Sequence, residues 1–189
     1  MEKRMKKNRN KRAIAFLMIG FLLLLGAGGV LGYNLYEDMA AGEAAKQILI
    51  KMEHPKEQSE EGILLPDGRL FCGVLSIEKE GITLPVYQEW SYKKLKEAPC
   101  RYKGSAKGGD LIIAAHNYKN HFGSLSSLEQ GDRITFTDGE GTLYSYRVDT
   151  LSRLDGTAIE QMHAGEWELT LFTCTKGGKQ RVTVRCIKE

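Results

Sequence analysis

No two cysteines in this 189-residue chain have the CxxC spacing of a zinc or redox site. The four present, at 72, 100, 174 and 186, are too few and too loosely spaced for a disulfide-stapled mini-fold. The chain also lacks internal repeats, low-complexity tracts and a second long hydrophobic run near its C-terminus. A basic surplus is missing too, although the formal charge is +3, with 27 Lys and Arg against 24 Asp and Glu. Seven of those bases stand in the first twelve residues beside one acid, which leaves 20 bases against 23 acids, a balance of −3. Nothing in that balance suggests a nucleic-acid partner.

What is present begins with Lys3, Arg4, Lys6, Lys7, Arg9, Lys11 and Arg12, followed by an uncharged stretch at 13–36 rich in Leu, Ile and Phe. Crossing a bilayer takes roughly 20 apolar residues. A basic flank ahead of such a helix predicts a cytoplasmic N-terminus and export of the rest. A cleaved signal peptide competes with this reading, with Ala40 and Ala41 imitating a cleavage site, but its apolar region usually spans only about 7–15 residues. The expected organisation is a cytoplasmic tail at 1–12, a transmembrane anchor at 13–36, a juxtamembrane helix and polar linker at 37–61 acting as a spacer, and one domain at 62–189.

From Gly62 onward, short alternating or apolar runs separated by Gly, Asp and Pro predict an all-β domain. Strands are expected at 69–77, 81–86, 111–115, 132–137, 142–149, 167–174 and 181–187. Residues 124–131 read as a short helix ended by Gly131. One hairpin turns at Asp138-Gly139-Glu140-Gly141, and Tyr144, Tyr146 and Val148 share a face of its second strand. The segment between Leu151 and Gly165 is expected to be a variable loop that, from its position between strands, helps recognise the substrate. A second hairpin joins 167–174 to 181–187. If its strands pair about the centre of the loop, Cys174 lies opposite Arg181, where Cα atoms are roughly 4.5–5.5 Å apart.

That register brings a thiol to a guanidinium. The run Leu111-Ile-Ile-Ala-Ala115 has no polar residue and reads as a buried strand that ends at His116. A cysteine attacks as its thiolate, and an imidazole that exchanges its proton can protonate the leaving amine. Acyl transfer also develops an oxyanion, for which Arg181 offers a permanent cation and a fork of N–H donors. Thr173 adds a hydroxyl and a backbone N–H, though a β-forming threonine there needs no chemistry. In an oxidising exterior, a free thiol needs a chemical reason to exist. His121 and His163 compete with His116, and Arg185 competes with Arg181, reading more simply as a solvated or barrel-end charge. Cys186 shares a face with Val182 and Val184 and reads as core. Cys72 and Cys100 stay open, and a disulfide among these three is left undecided.

Thr170-Leu171-Phe172-Thr173-Cys174 resembles the TLxTC signature of the sortases, with an arginine opening the next strand as in that family. Leu84-Pro85-Val86-Tyr87, Ala98-Pro99-Cys100-Arg101-Tyr102 and Gly109-Asp110 leading to His116 fit around it. The resemblance covers roughly residues 62–189. It implies an eight-stranded β-barrel with short helices whose cysteine cleaves surface proteins at a C-terminal LPxTG-like signal. An amine of the cell wall, such as a peptidoglycan precursor, then resolves the thioacyl enzyme, with no metal or organic cofactor. It further implies catalytic Cys174, His116 and Arg181, with Thr173, Thr170 and Ala115 at the oxyanion or substrate. Ala115, where many relatives have Gly, and the short loop from Cys174 to Arg181 bear on subclass, and a class D-like or class B-like housekeeping enzyme is expected. Two other readings stay alive, an L,D-transpeptidase-like cell-wall enzyme and a barrel that binds peptides without catalysis. The first lacks its SHGC-type motif here.

Overall fold

The computed structural model describes residues 2–163 and 165–189, with side chains from residue 14 onward. The side chains of the basic tail at 1–12 lie outside the described residues. The first element is a long helix, α1 (Glu2–Met52), and the chain divides into two compact units, Met1–Glu37 and Asp38–Glu189.

In the first unit the apolar side chains face outward all round the helix: Phe16, Leu17 and Leu24 are each 73% exposed. The described helix is long and apolar enough over Ile14–Met52 to cross a membrane. A helix hydrophobic on every side has to be covered by protein or by lipid.

The second unit is a β-barrel. Ten strands form one sheet: β1 (Glu57–Ser59), β2 (Gly62–Leu64), β3 (Leu70–Ile77), β4 (Ile82–Tyr87), β5 (Cys100–Lys103), β6 (Leu111–Ala115), β7 (Arg133–Asp138), β8 (Leu143–Asp155), β9 (Leu169–Cys174) and β10 (Gln180–Lys188). Their order is β1-β2-β3-β4-β5-β6-β9-β10-β8-β7, and a further pairing of β7 with β3 closes the last eight into a barrel. Strand β3 shares one edge between two partners: Leu70 and Phe71 pair with β2, and residues from Gly73 to Ile77 pair with β7. Closure leaves the eight barrel strands without a free edge. Around them lie α2 (Tyr92–Leu95), a 3₁₀ turn (Leu125–Ser127) and α3 (Ile159–His163).

Strand alternation builds two cores. Leu75 and Ile77 of β3, Tyr144, Tyr146 and Val148 of β8, Leu169 and Leu171 of β9, and Val182, Val184 and Cys186 of β10 point into the barrel. The opposite face of β3 to β6 carries a second core, which joins Tyr87, Cys100 and Ala114 to Leu95 of α2 and to Ile48 of α1. With both faces covered, β6 is buried at all five positions, as its apolar run predicts.

The α1 residues in the second unit belong to this packing. Ala41, Ala45 and Ile48, spaced four and three apart on one helical face, are no more than 2% exposed. Asp38 accepts a hydrogen bond from the Asn120 backbone N–H at 3.1 Å, and Gly42 leaves the room that the Asn120 side chain fills. Residues 38–52 therefore contribute to the barrel's own core. Two expectations about element length also change. Strand β8 runs six residues further than its pattern suggests, because a bulge at Asp149 resets its alternation against β10, and the expected short helix after Gly123 is a single 3₁₀ turn. All four cysteines are free thiols.

Candidate active site

Three strands converge on Cys174. The antiparallel pairing of β9 with β10 sets Cys174 opposite Arg181. On its other side β9 runs parallel to β6, with Leu111 opposite Leu169 and Ala115 opposite Thr173. His116 and Cys174 directly follow that last pair, and both line one cleft. Thiol, imidazole and guanidinium thus come from one row across three adjacent strands, all at the same end of the barrel.

Local structure holds each group. His116 begins a tight loop in which its carbonyl accepts from the Phe122 N–H at 3.2 Å and its ring lies 5.0 Å from that of Tyr118. Arg181 Nη1 donates to the carbonyls of Gly178 at 2.9 Å and Gln180 at 3.3 Å, with no carboxylate ion-paired to it among the described residues. The fork therefore rests on two neutral acceptors. Gly156 lets the turn after β8 close on this loop: its N–H donates to Lys179 O at 2.9 Å, and a Cβ there would stand 2.9 Å from the same oxygen. Nearby, two hydrogen bonds from Thr157 and the charge of Arg181 hold the Asp155 carboxyl below the usual carboxylate range.

The row opens on a cleft of about 390 Å³ on the outer face of the barrel. Ala115, His116, Thr173, Cys174 and Arg181 lie along one edge of the cleft. Trp90, Tyr92, Tyr102 and Phe172 supply aromatic walls, and Ile159 and Met162 of α3 close the far side. Tyr102 and Phe172 meet edge to face at 5.3 Å. Apolar walls with a few polar groups, Asp155 among them, are the usual make-up of a ligand-binding cleft. A second cavity of about 360 Å³ reaches Thr173 and Cys174 from the barrel mouth, where Asn117, Arg153 and Lys176 line it. Among the described residues, no acidic one borders this second space.

Several of the expected and competing residues are engaged in the fold. The Thr173 hydroxyl, 3% exposed, donates to the Ala115 carbonyl at 2.8 Å and so ties β9 to β6. Thr170 does not line the cleft, and its hydroxyl accepts from Arg185 at 2.9 Å. Arg185, expected as a solvated or barrel-end charge, is instead 5% exposed and hydrogen-bonded beneath α3. His121 is fully buried, and that burial pushes its imidazole down to about 4. His163 packs against Tyr102 outside the cleft lining. Of the histidines weighed from sequence, only His116 lines the cleft together with Cys174. The aromatic walls escape sequence reasoning, with only the exposed pair Trp90 and Tyr92 in a polar segment as a signal, whereas α3 falls within the 151–165 segment expected to take part in recognition.

Among the described residues no group of His, Cys, Asp and Glu is arranged to hold a metal.

Comparison with known proteins follows the same lines. The family model described as Sortase domain matches residues 75–189. No curated protein matches the chain. Among solved structures, sortase A from Corynebacterium diphtheriae is 22% identical with a TM-score of 0.59, over 64% of this chain and 61% of that one. Sortase C1 from Streptococcus agalactiae is 29% identical with a TM-score of 0.55, over 62% of this chain and 66% of that one. A Clostridium perfringens sortase C, solved with the C-terminal cell wall sorting motif, is 20% identical at a TM-score of 0.57, over 63% and 70% of the two chains. The chain spans just under two thirds of the length of the first two.

Proposed function

The chain belongs to the sortase family, and from that premise we propose that it is a membrane-anchored cysteine transpeptidase acting outside the cell on surface proteins with a C-terminal LPxTG-like signal. One observation carries the reading: the row His116, Cys174, Arg181 across β6, β9 and β10, at the edge of an apolar cleft.

The Cys174 thiolate attacks the scissile carbonyl, and electron density moves to its oxygen, beside the Arg181 guanidinium. Collapse breaks the C–N bond as His116 protonates the departing amine, which leaves the acyl group on sulfur. An incoming amine then attacks the thioester, gives a proton to His116 and forms a new amide as the C–S bond breaks. The thiolate and imidazolium are restored, so atoms and protons balance without a cofactor. We assign the peptide to the outer cleft and the amine to the cavity at the barrel mouth, which reaches the same sulfur from another side. Arg153 and Lys176 there suit an acceptor that carries anionic groups near its amine, as a peptidoglycan precursor does. The basic residues ahead of the apolar run support a cytoplasmic N-terminus with the barrel outside.

Mass spectrometry of the full chain in detergent, incubated with LPxTG-type peptides and then an amine, tests the reading against Cys174→Ala. A thioacyl adduct confined to the wild type, followed by a product joined to the amine, supports it. A folded protein that forms no adduct across a panel of signal variants would favour a barrel that binds peptides without catalysis.

A further inference from the structure

Arg185 stands four residues beyond Arg181 on the same outward face of β10, yet it is 5% exposed. A buried arginine ordinarily meets a carboxylate, because an unpaired charge is costly to remove from water. Here every hydrogen-bond acceptor is neutral. Nη1 donates to the Met162 carbonyl and to Thr170 Oγ1, each at 2.9 Å, and Nη2 donates to the Gln161 carbonyl at 2.6 Å. The guanidinium carbon lies 4.8 Å from the centre of the Trp167 ring, whose Nε1 donates to Asp149 at 3.2 Å.

These partners are placed by the fold. Gln161 and Met162 lie near the end of the five-residue helix α3, where carbonyls have no partner within the helix and a cation is favoured. A helix this short does not persist alone in water. Its attachment to the barrel therefore depends on what holds it from below. Thr170 belongs to β9, four residues before Cys174, so one guanidinium joins the nucleophile's strand to α3. Met162, whose carbonyl is held, also lines the cleft, as does Ile159 at the other end of the same helix. Burial lowers the proton affinity of Arg185, but arginine remains charged at any physiological pH, so the tether does not switch off.

We propose that Arg185 is a positioning residue that pins α3 as the outer wall of the peptide cleft and so sets affinity for the sorting signal without setting the reactivity of Cys174. This rests on the function proposed above for the cleft. A lysine at 185 keeps the charge but cannot present a planar fork to three separated acceptors. A methionine keeps most of the volume and leaves two carbonyls unpaired.

The test uses the full chain in detergent, comparing wild type with Arg185→Lys and Arg185→Met. Expected for both is a KM for an LPxTG-type peptide raised roughly tenfold or more, the scale for losing hydrogen bonds to a charged group, with kcat within about threefold. Alkylation of Cys174 by iodoacetamide should keep its wild-type rate. Amide exchange at 158–163 should quicken while β6 and β9 stay protected, a pattern that general loosening of the barrel would not give. If Arg185→Met does not accumulate folded, Arg185→Lys carries the comparison. Unchanged exchange at 158–163 in Arg185→Lys would overturn the tether, and a fall in kcat at constant KM would overturn the claim about affinity. A wild type that cleaves no peptide would instead remove the proposed function, while the exchange experiment still judges the tether.

Discussion

Replacing Ile48 by alanine should destabilise the barrel although Ile48 belongs to the same helix as the long apolar stretch. Ile48 is 1% exposed and packs with Ile63, Leu65, Phe71, Tyr87 and Leu95 in the outer core. The substitution removes three carbons, worth about 2.4 kcal/mol at roughly 0.8 kcal/mol per buried methylene. The cavity left behind places the total at about 2–5 kcal/mol. A slightly better helix propensity returns only a few tenths of that. At roughly 2–4 °C per kcal/mol for a chain of this size, the midpoint should fall by about 5–15 °C. Ile50, two residues along and 55% exposed, is the internal control, and Ile50→Ala should change stability by no more than about 0.5 kcal/mol. Both tryptophans, Trp90 and Trp167, lie within the Asp38–Glu189 unit, so tryptophan fluorescence during thermal unfolding in detergent reports on it. Equal midpoints for the two variants would refute the reasoning and return residues 38–52 to the role of a spacer.

Three other outcomes follow from the site and its surroundings. Arg181→Ala should lower kcat for peptide cleavage roughly a hundredfold to a thousandfold, as loss of an oxyanion donor does, with KM little changed, and a variant of wild-type kcat would remove Arg181 from the reaction. Thr173→Val should cost about 1 kcal/mol in unfolding experiments, since the hydroxyl's bond to Ala115 is buried, whereas a kcat falling a hundredfold would show that the hydroxyl serves the oxyanion. His121, neutral when folded because burial depresses it from 6.5 to about 4, takes up a proton more readily in the unfolded chain. Its contribution should be complete above pH 6.5 and lost as pH falls toward 4, by at most about 3 kcal/mol. Unfolding free energies across that window should flatten in His121→Leu, and an identical slope in both proteins would refute the assignment.

The hairpin of β9 and β10 was legible because an antiparallel register is set by its turn. Six residues between Cys174 and Arg181 suffice to place them opposite each other once the strands pair about the loop centre. Strand β6 was legible because five apolar residues in a row need cover on both faces. Other elements left weaker traces. Strand β5 has four residues, Cys-Arg-Tyr-Lys, with three of them partly or fully exposed, too short and polar to stand out. The bulge at Asp149 breaks the alternation of β8, so its last residues read as loop. Ala41, Ala45 and Ile48 do form a helical stripe, but two alanines make a faint signal beside the long apolar run before them. Arg185 could not be read correctly at all, because two of its acceptors are backbone carbonyls, which have no side-chain signature.

The placing of Cys174 between two cavities follows from a single step of strand alternation. Leu169 and Leu171 point into the barrel, and Thr173 continues that set, opposite Val182 of β10, which in turn lies opposite Arg153 of β8. Phe172 points outward to pack against the second core, and Cys174 continues that set, opposite Arg181. The cysteine is the last residue of β9, so the outer cleft and the barrel mouth meet at its sulfur. A register slip of one residue would turn Thr173 outward and Cys174 into the barrel. The row of Thr173, Val182 and Arg153 guards against that slip. The Thr173 hydroxyl locks β9 to β6 at Ala115, the residue that leads directly into His116. The bond that keeps the thiol facing the outer cleft is thus also the bond that sets the strand leading into His116 beside it.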